Sequence, residues 1–248
     1  MPIKNIVSDW NGTLISYPTE GKLMENIGLA ILKNSGFRHP VKSADLVVDM
    51  FHLKDLDKDC KSGKIEYGCI YDYFNDNVFC GTPDGIVRSA VEKYAAKAAE
   101  KIDMHLLKAI EDLHSNGNTG ILSTGYSDGI IKTLSGIGIV PFHTITANDI
   151  EWNNGKAIKF NLNIYNNKEK FLEDVFLKEH GYRPDETAYI GDTEEDEKCF
   201  EMVKYPIASF FATDGFKQHS SGKYDAIRRG KTWGLRENNK KSRLNTFL

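Results

Sequence analysis

Long apolar runs are missing from this 248-residue chain. None reaches the roughly 18 residues that a membrane-spanning helix needs, so no membrane association is expected. The amino-terminal MPIKNIVSDW has no apolar stretch of the kind secretory signals carry, and a cytoplasmic setting is the expectation. Cysteine is scarce: Cys60, Cys69, Cys80 and Cys199 form no CxxC and are too few for a disulfide framework. The seven histidines contain no HxxxH pair, the helical zinc signature. Positive charge is not in excess either. With 32 basic and 35 acidic side chains the net charge is -3, which excludes a chain-wide field for nucleic acid, and no nucleic-acid partner is expected. What is present is ordinary: 40% hydrophobic, 27% charged and 11% aromatic residues, enough to bury a sizeable core. The length suits one α/β domain, or one domain carrying an insertion.

The first strand is predicted over residues 3–8, IKNIVS, which run straight into Asp9 before Asn11-Gly12 breaks the pattern. Helical spacing follows, with Leu23, Ile27, Ala30 and Ile31 on one face and Gly36 as a stop. The same character holds from 40 to 100, where roughly three to five helices are expected, separated at Gly63 and at Gly81-Thr82-Pro83. After Asp103 helices and strands alternate. Helix 106–113, strand 119–123, helix 130–134 and strand 144–147 lead to a hairpin around Asn153-Asn154-Gly155. Helix 168–180, strand 187–191, helix 195–203 and strand 206–211 complete the series. Such alternation implies an α/β fold: a Rossmann-like parallel sheet with helices on both faces, and a helical insertion after the first strand. Between Arg228 and Arg243 seven Lys/Arg face one acid, Glu237, which reads as a solvated end or a site for a phosphorylated or acidic partner.

Ligand sites in open parallel sheets lie at the carboxyl ends of the strands. Four polar segments converge there: Asp9-Trp10-Asn11-Gly12-Thr13, Ser123-Thr124-Gly125, Lys168, and Gly191-Asp192-Thr193-Glu194-Glu195-Asp196. Asp9 and Asp192 are like charges that need a cation or a proton between them, and Mg²⁺ suits a few carboxylates plus a substrate phosphate. A carboxylate so held can attack phosphorus. Backbone N–H groups after Asp9, the Ser123 hydroxyl and the Lys168 ammonium are donors for phosphoryl oxygens. Singly, each segment is a common turn or helix start; their order is far more specific.

That order, DWNGT, ILS, Lys168 and GDTEED, resembles the haloacid dehalogenase superfamily of phosphohydrolases, and STGYSDGIIKTLSGIGI with ITANDIEWNNGK is most similar to its phosphoserine-phosphatase branch. The resemblance covers residues 3–15 and 104–211. It implies an aspartyl phosphate on Asp9, and Mg²⁺ held by Asp9, the Asn11 carbonyl and Asp192 with Asp196 in support. It implies Asp9, Asn11 and Lys168 as catalytic residues, and Gly12, Thr13, Ser123, Thr124, Gly125 and Lys168 around the phosphate of a small phosphorylated metabolite. Residues 1–15 and 104–227 would form the core, 16–103 a helical cap that covers the site, and 228–248 a basic tail. Ser123 is preferred to Thr124 for the phosphate, and Lys168 to Lys170.

The pattern departs at position 11. The phosphatases of the superfamily carry Asp there, which protonates the leaving oxygen and activates water. Asn11 has the same shape but exchanges no proton at neutral pH, and general acid–base catalysis is worth roughly 10²–10⁴-fold. Three accounts stay open: a substitution that traps a complex, a substrate whose leaving group needs little acid, or a protein that binds a phosphate ester and turns over slowly. The superfamily's dehalogenases carry an aromatic residue at position 11, and Trp10 falls one place short. Glu20 and Arg38 are candidates for the groups that hold serine in phosphoserine phosphatases, with plain surface placement as the alternative for both. The cluster Tyr67, Tyr71, Tyr73 and Phe74 is expected to be core of the helical segment, and Asn148 a structural turn.

Overall fold

The computed structural model describes residues 3–16, 19–35, 40–139 and 141–209. Gly36, Arg38, the side chain of Glu20, the end of the last expected strand and the basic run 228–243 lie outside them.

Five short apolar segments form one parallel sheet: β1 Asn5–Ser8, β2 Asn118–Tyr126, β3 Thr144–Asn148, β6 Thr187–Gly191 and β7 Tyr205–Ala208. The order is β3-β2-β1-β6-β7, with β1 in the centre. A separate antiparallel pair joins β4 Ile150–Asn153 to β5 Lys156–Phe160. Its connection is the expected Asn154-Gly155, with φ of 48° and 73°. Positive φ at both central residues fits the twist of a two-residue hairpin.

Strand side chains alternate between faces, and both faces of the sheet are apolar. Val7, Leu122, Tyr189 and Ala208 point to one side and pack with Leu172, Phe176, Cys199 and Phe200. Ile121, Ile190 and Ile207 point to the other and pack with Leu107, Ile110, Ile130 and Leu134. Those last four come from α5 Met104–His114 and α6 Ser127–Gly136, so helices do cover both faces. Asp103 caps α5, accepting from the N–H groups of His105 and Leu106.

Among the described residues, four α-helices stand between β1 and α5: α1 Thr19–Ser35, α2 Pro40–Lys61, α3 Tyr67–Phe74, which continues as a π-helical stretch over Asn75–Phe79, and α4 Asp84–Ala99. They break where glycine was expected to break them, at Gly63 (φ 74°) and Gly81 (φ 82°). Tyr71 and Phe74 are buried there, while Tyr67 and Tyr73 pack at the margin of the same core. The hairpin is stitched to this segment. Gly81 N–H donates to Ala157 O, Ala157 N–H to Thr82 O, and Asp84 N–H to Gly155 O. Buried Asn75 grips the Phe160 backbone twice: its Nδ2 donates to the carbonyl at 3.2 Å and its Oδ1 accepts from the N–H at 2.8 Å.

Three expected elements change shape. β2 runs to Tyr126 rather than 123 because Tyr126 still pairs with Asn148 beyond an irregularity in register. The helix at 168 is regular only over α7 Lys168–Phe171 and then widens into a π-helical stretch, Leu172–Glu179, where the His180 N–H reaches back to Val175 O. The helix expected at 195–203 opens as a 3₁₀ turn, Glu194–Asp196, before α8 Glu197–Glu201.

Asn75 is where the hairpin's attachment is most exposed to test. Asn75→Ala leaves two buried backbone groups of Phe160 unpaired, and is expected to lower stability by roughly 2–4 kcal/mol in denaturant unfolding.

Candidate active site

β1 and β6 run in register, Ser8 opposite Ile190, so the residues that follow each strand emerge together at the carboxyl edge. Asp9 is the first residue past β1, and its N–H still bonds Ile190 O at 2.8 Å. Asp192 is the first past β6. One turn later comes Asp196, turned back by a capping box with Thr193. Carboxylate oxygens of Asp9, Asp192 and Asp196 lie within 4.8 Å of one another, and all three residues are buried.

One cation sits among them. Lys168 opens α7 and is 4% exposed, whereas Lys170 faces solvent. Its Nζ lies 2.9 Å from Asp196 Oδ1 and 3.2 Å from Asp9 Oδ2. Burial alone would lower its pKa; Asp196 and Asp9 outweigh that and hold it well above the ordinary lysine value, so it is a fixed ammonium.

Asp196 is fully subscribed. Its Oδ1 accepts from Lys168 and, at 2.9 Å, from the Tyr189 hydroxyl. Its Oδ2 accepts from the N–H groups of Asp192 at 3.0 Å and Thr193 at 3.2 Å. It organises the cluster and offers a metal little. Asp9 is the opposite case: its buried Oδ1 has no hydrogen-bond partner among the described residues. Desolvation raises the Asp9 carboxyl to about 7 despite Lys168. Burial, then the charges of Asp9 and Asp196, push Asp192 up to about 9. An orphaned carboxylate oxygen and two acids displaced toward their neutral forms are what a divalent cation would relieve, so the donor set fits Mg²⁺.

The loop after Asp9 shows why glycine stands at position 12. Gly12 has φ +71°, and a Cβ there would lie 2.0 Å from Asp192 Oδ2. Its N–H donates to Ile15 O, so this N–H is not among the phosphate donors the sequence reading assigned to the loop; Gly12's part is to let Asp192 approach. Thr13 was expected at the phosphate as well, but its hydroxyl donates to Asp192 Oδ1 at 3.1 Å. Buried Ser209, which sequence reasoning missed, ties the loop down: its hydroxyl donates to Gly12 O at 2.7 Å and its N–H to Gly191 O at 2.8 Å. Tyr189 was missed too, since a tyrosine inside an apolar strand reads only as core.

On the other flank, Ser123 is buried and its Oγ accepts from the Gly125 N–H at 3.0 Å, which uses that N–H and leaves the hydroxyl proton to donate. Thr124 is half-buried and its carbonyl accepts from Asn148 Nδ2. Asn148 Oδ1 accepts in turn from Ile164 N–H at 3.1 Å, so Asn148, the last residue of β3 rather than the turn expected, fastens the loop that leads to Lys168. A Cβ on Gly125 would meet Ser123 Oγ at 3.3 Å and Asn11 Nδ2 at 3.5 Å, so the Ser123 and Asn11 side chains converge there. Trp10 is fully buried and packs in the apolar core.

Solved structures were compared with this arrangement. A substrate-bound phosphoserine phosphatase superposes with a TM-score of 0.60 at 16% identity, over 88% of this chain and 90% of that one. A phospho-aspartyl intermediate analogue of phosphoserine phosphatase gives 0.55 at 17%, over 88% and 91%. A HAD-family hydrolase from Salmonella enterica serovar Typhi gives 0.60 at 15%, over 88% of this chain and 66% of that one. The fold is that of the haloacid-dehalogenase phosphoserine phosphatases. No protein-family profile and no curated protein sequence matches the chain. Among the described residues no helix is long and apolar enough to cross a membrane.

The raised acids set the pH dependence of the metal-free fold. A carboxyl with a higher pKa folded than unfolded binds its proton more tightly in the folded state. Its stabilisation is full below the ordinary carboxylate value and drains as pH rises through the folded values of about 7 and about 9. With chelator present, thermal unfolding is expected to show Tm falling from about pH 5 to about pH 9, less steeply in Asp192→Asn, and added Mg²⁺ restoring most at the alkaline end.

Proposed function

We propose that this protein is a Mg²⁺-dependent phosphohydrolase that transfers the phosphoryl group of a small phosphorylated metabolite to Asp9 and then to water. The observation that carries this reading is Asp9 itself: a buried carboxylate with one oxygen held by Lys168 and the other without a partner among the described residues, at the carboxyl edge of the central strand. Asp9, Asp192 and the Asn11 carbonyl would hold the cation, with Asp196 behind them. When bound it supplies charge for the phosphoryl oxygens and keeps Asp9 ionised.

The chain's own groups do the rest. Lys168 and the Ser123 hydroxyl donate to phosphoryl oxygens, where fixed donors contribute most to this class of reaction. Thr13 and Gly12 keep Asp192 close. Residues 16–103 act as a cap over the site and exclude water during the first transfer. The phosphoserine phosphatases among the structural neighbours support the reaction class; the cytoplasm is the compartment that suits such a metabolite. A second reading, a low-turnover protein that binds a phosphate ester, is favoured by Asn11 alone.

Release of phosphate from p-nitrophenyl phosphate is the direct test. It is expected to require Mg²⁺ and to fall to the uncatalysed rate in Asp9→Ala; binding of phosphate esters without turnover, in the native chain and in Asn11→Asp alike, would favour the second reading. Asn11→Asp is also expected to raise hydrolysis of an alkyl phosphate more than that of an aryl phosphate, by up to roughly 10²–10⁴-fold, since only the alkoxide leaving group needs an acid. Parallel steady-state kinetics on one substrate of each class would show it.

A further inference from the structure

At the end of the sheet away from Asp9, the pairing of β2 with β3 runs one residue past the regular ladder, and the extra rung is made with a side chain. The ladder itself begins with Gly120 opposite Thr144. Just before it, the His143 N–H donates to Thr119 O at 2.8 Å, as a strand residue would. The return bond goes to no carbonyl: the Thr119 N–H donates to Nδ1 of the His143 ring at 3.2 Å. Thr119 is fully buried, where an unpaired backbone N–H is costly.

These bonds fix where the protons sit. A ring nitrogen that accepts from an N–H carries no proton, so neutral His143 holds its proton on Nε2. The Thr119 hydroxyl lies 3.1 Å from the same Nδ1 and 2.9 Å from Nδ1 of His114, the last residue of α5. With one hydroxyl proton to give, it donates to His143 and accepts from the His114 Nδ1–H. The two rings stack, with centroids 4.0 Å apart and planes 26° from parallel. A second proton on His143 can go only to Nδ1, where two hydrogens already point.

No acid among the described residues offsets such a charge. On β2 the neighbours Asn118 and Thr119 are uncharged. On α5, Glu111 and Asp112 are exposed, and the charge that bears on His143 is that of His114, of like sign. The charged residues of α6, Asp128 and Lys132, are engaged by Tyr126 and Glu92. Lys4, before β1, is paired with Glu186. His180 and Tyr182 bond the Thr144 side chain. Partial burial of the ring, then the charge of His114, holds His143 below the ordinary histidine range. The residue is exposed, so protons reach it.

We propose that His143 is a titratable rung of the sheet: neutral, its ring latches the start of β3 to β2; protonated, it lets go, so acidification frays this strand from the end remote from the carboxylate cluster. β3 stands at the end of the strand order, and among the described residues no second strand takes up the hold. The latch contributes fully above the ordinary histidine value and is lost as pH falls from there to the lowered folded value.

NMR on the full chain tests it. The His143 ring nitrogens are followed from about pH 8 to about pH 5, and exchange of the Thr119 N–H is measured across that range and corrected for its intrinsic pH dependence. The expected neutral ring has Nε2 protonated and Nδ1 bare, and titrates below the ordinary histidine value. Thr119 N–H is expected to exchange roughly tenfold faster at the acid end, the effect of one or two lost hydrogen bonds. In His143→Asn the side-chain oxygen replaces Nδ1 as acceptor and binds no proton, so protection of Thr119 is expected to stay level. The inference is overturned by unchanged protection in the native chain, by an acid loss that persists in His143→Asn, by a neutral ring protonated at Nδ1, or by titration at or above the ordinary value. Where His143→Asn does not fold, the tautomer and titration of the native ring decide alone.

Discussion

Three buried carboxylates around a single ammonium are the constraint on which the rest of this structure turns. Lys168 can balance one of Asp9, Asp192 and Asp196, so the cluster is left with a formal charge of two negatives, the complement of one divalent cation. Without that cation the excess is relieved by protons, which is why Asp9 and Asp192 are driven above the ordinary carboxylate range. Burial makes the cluster costly and useful at once. In a low dielectric an unpaired charge is penalised heavily, and a fixed opposite charge is correspondingly effective.

The surrounding residues make sense as means of holding that arrangement. Tyr189 and the two backbone N–H groups leave Asp196 one orientation, and Asp196 in turn leaves Lys168 one position. Gly12 removes the atom that would collide with Asp192, and Ser209 pins the carbonyl of that glycine. These contacts join residues far apart in sequence, such as Gly12 and Ser209, 197 positions apart. The parallel sheet makes that cheap: with β6 in register beside β1 and β7 beside β6, their carboxyl ends are neighbours before any side chain is placed.

Much of this could be read from the residues because it is local. Asp9 after IVS, Ser123 after GIL and Asp192 after AYIG each follow an apolar run; Asp9 and Asp192 end their strands, and Ser123 follows the regularly paired part of β2, so all three go to the same edge. Asn154-Gly155 announced its hairpin because few other residues tolerate two successive positive φ angles. What was not legible depends on partners distant in sequence. Thr13 looks like a phosphate-loop hydroxyl until Asp192 is beside it. Gly12 looks like a source of a free N–H until Ile15 takes it. Tyr189 looks like core, and is core; only its hydroxyl, aimed at Asp196, is more. The π-helical stretch at Leu172–Glu179 has no proline or glycine to signal it and reads as an ordinary amphipathic helix.

The hairpin bears on how the helical segment can move. Three backbone hydrogen bonds and both ends of the Asn75 amide join it to residues 75–84, and Phe160 packs against Tyr71 and Phe79. Phe160 also contacts Tyr126 at the end of β2. A displacement of the helices relative to the sheet must therefore either break that seam or carry the hairpin along. The buried part of that seam, Asn75 with Phe160 and Thr82 with Ala157, is the costlier to break, because those groups have no water to turn to. Residues 161–167 continue from the hairpin directly into Lys168, and the Ile164 N–H among them is held by Asn148 Oδ1 at 3.1 Å. The hairpin attached to the helical segment is thus linked, through a stretch pinned to the end of β3, to the ammonium that holds Asp9.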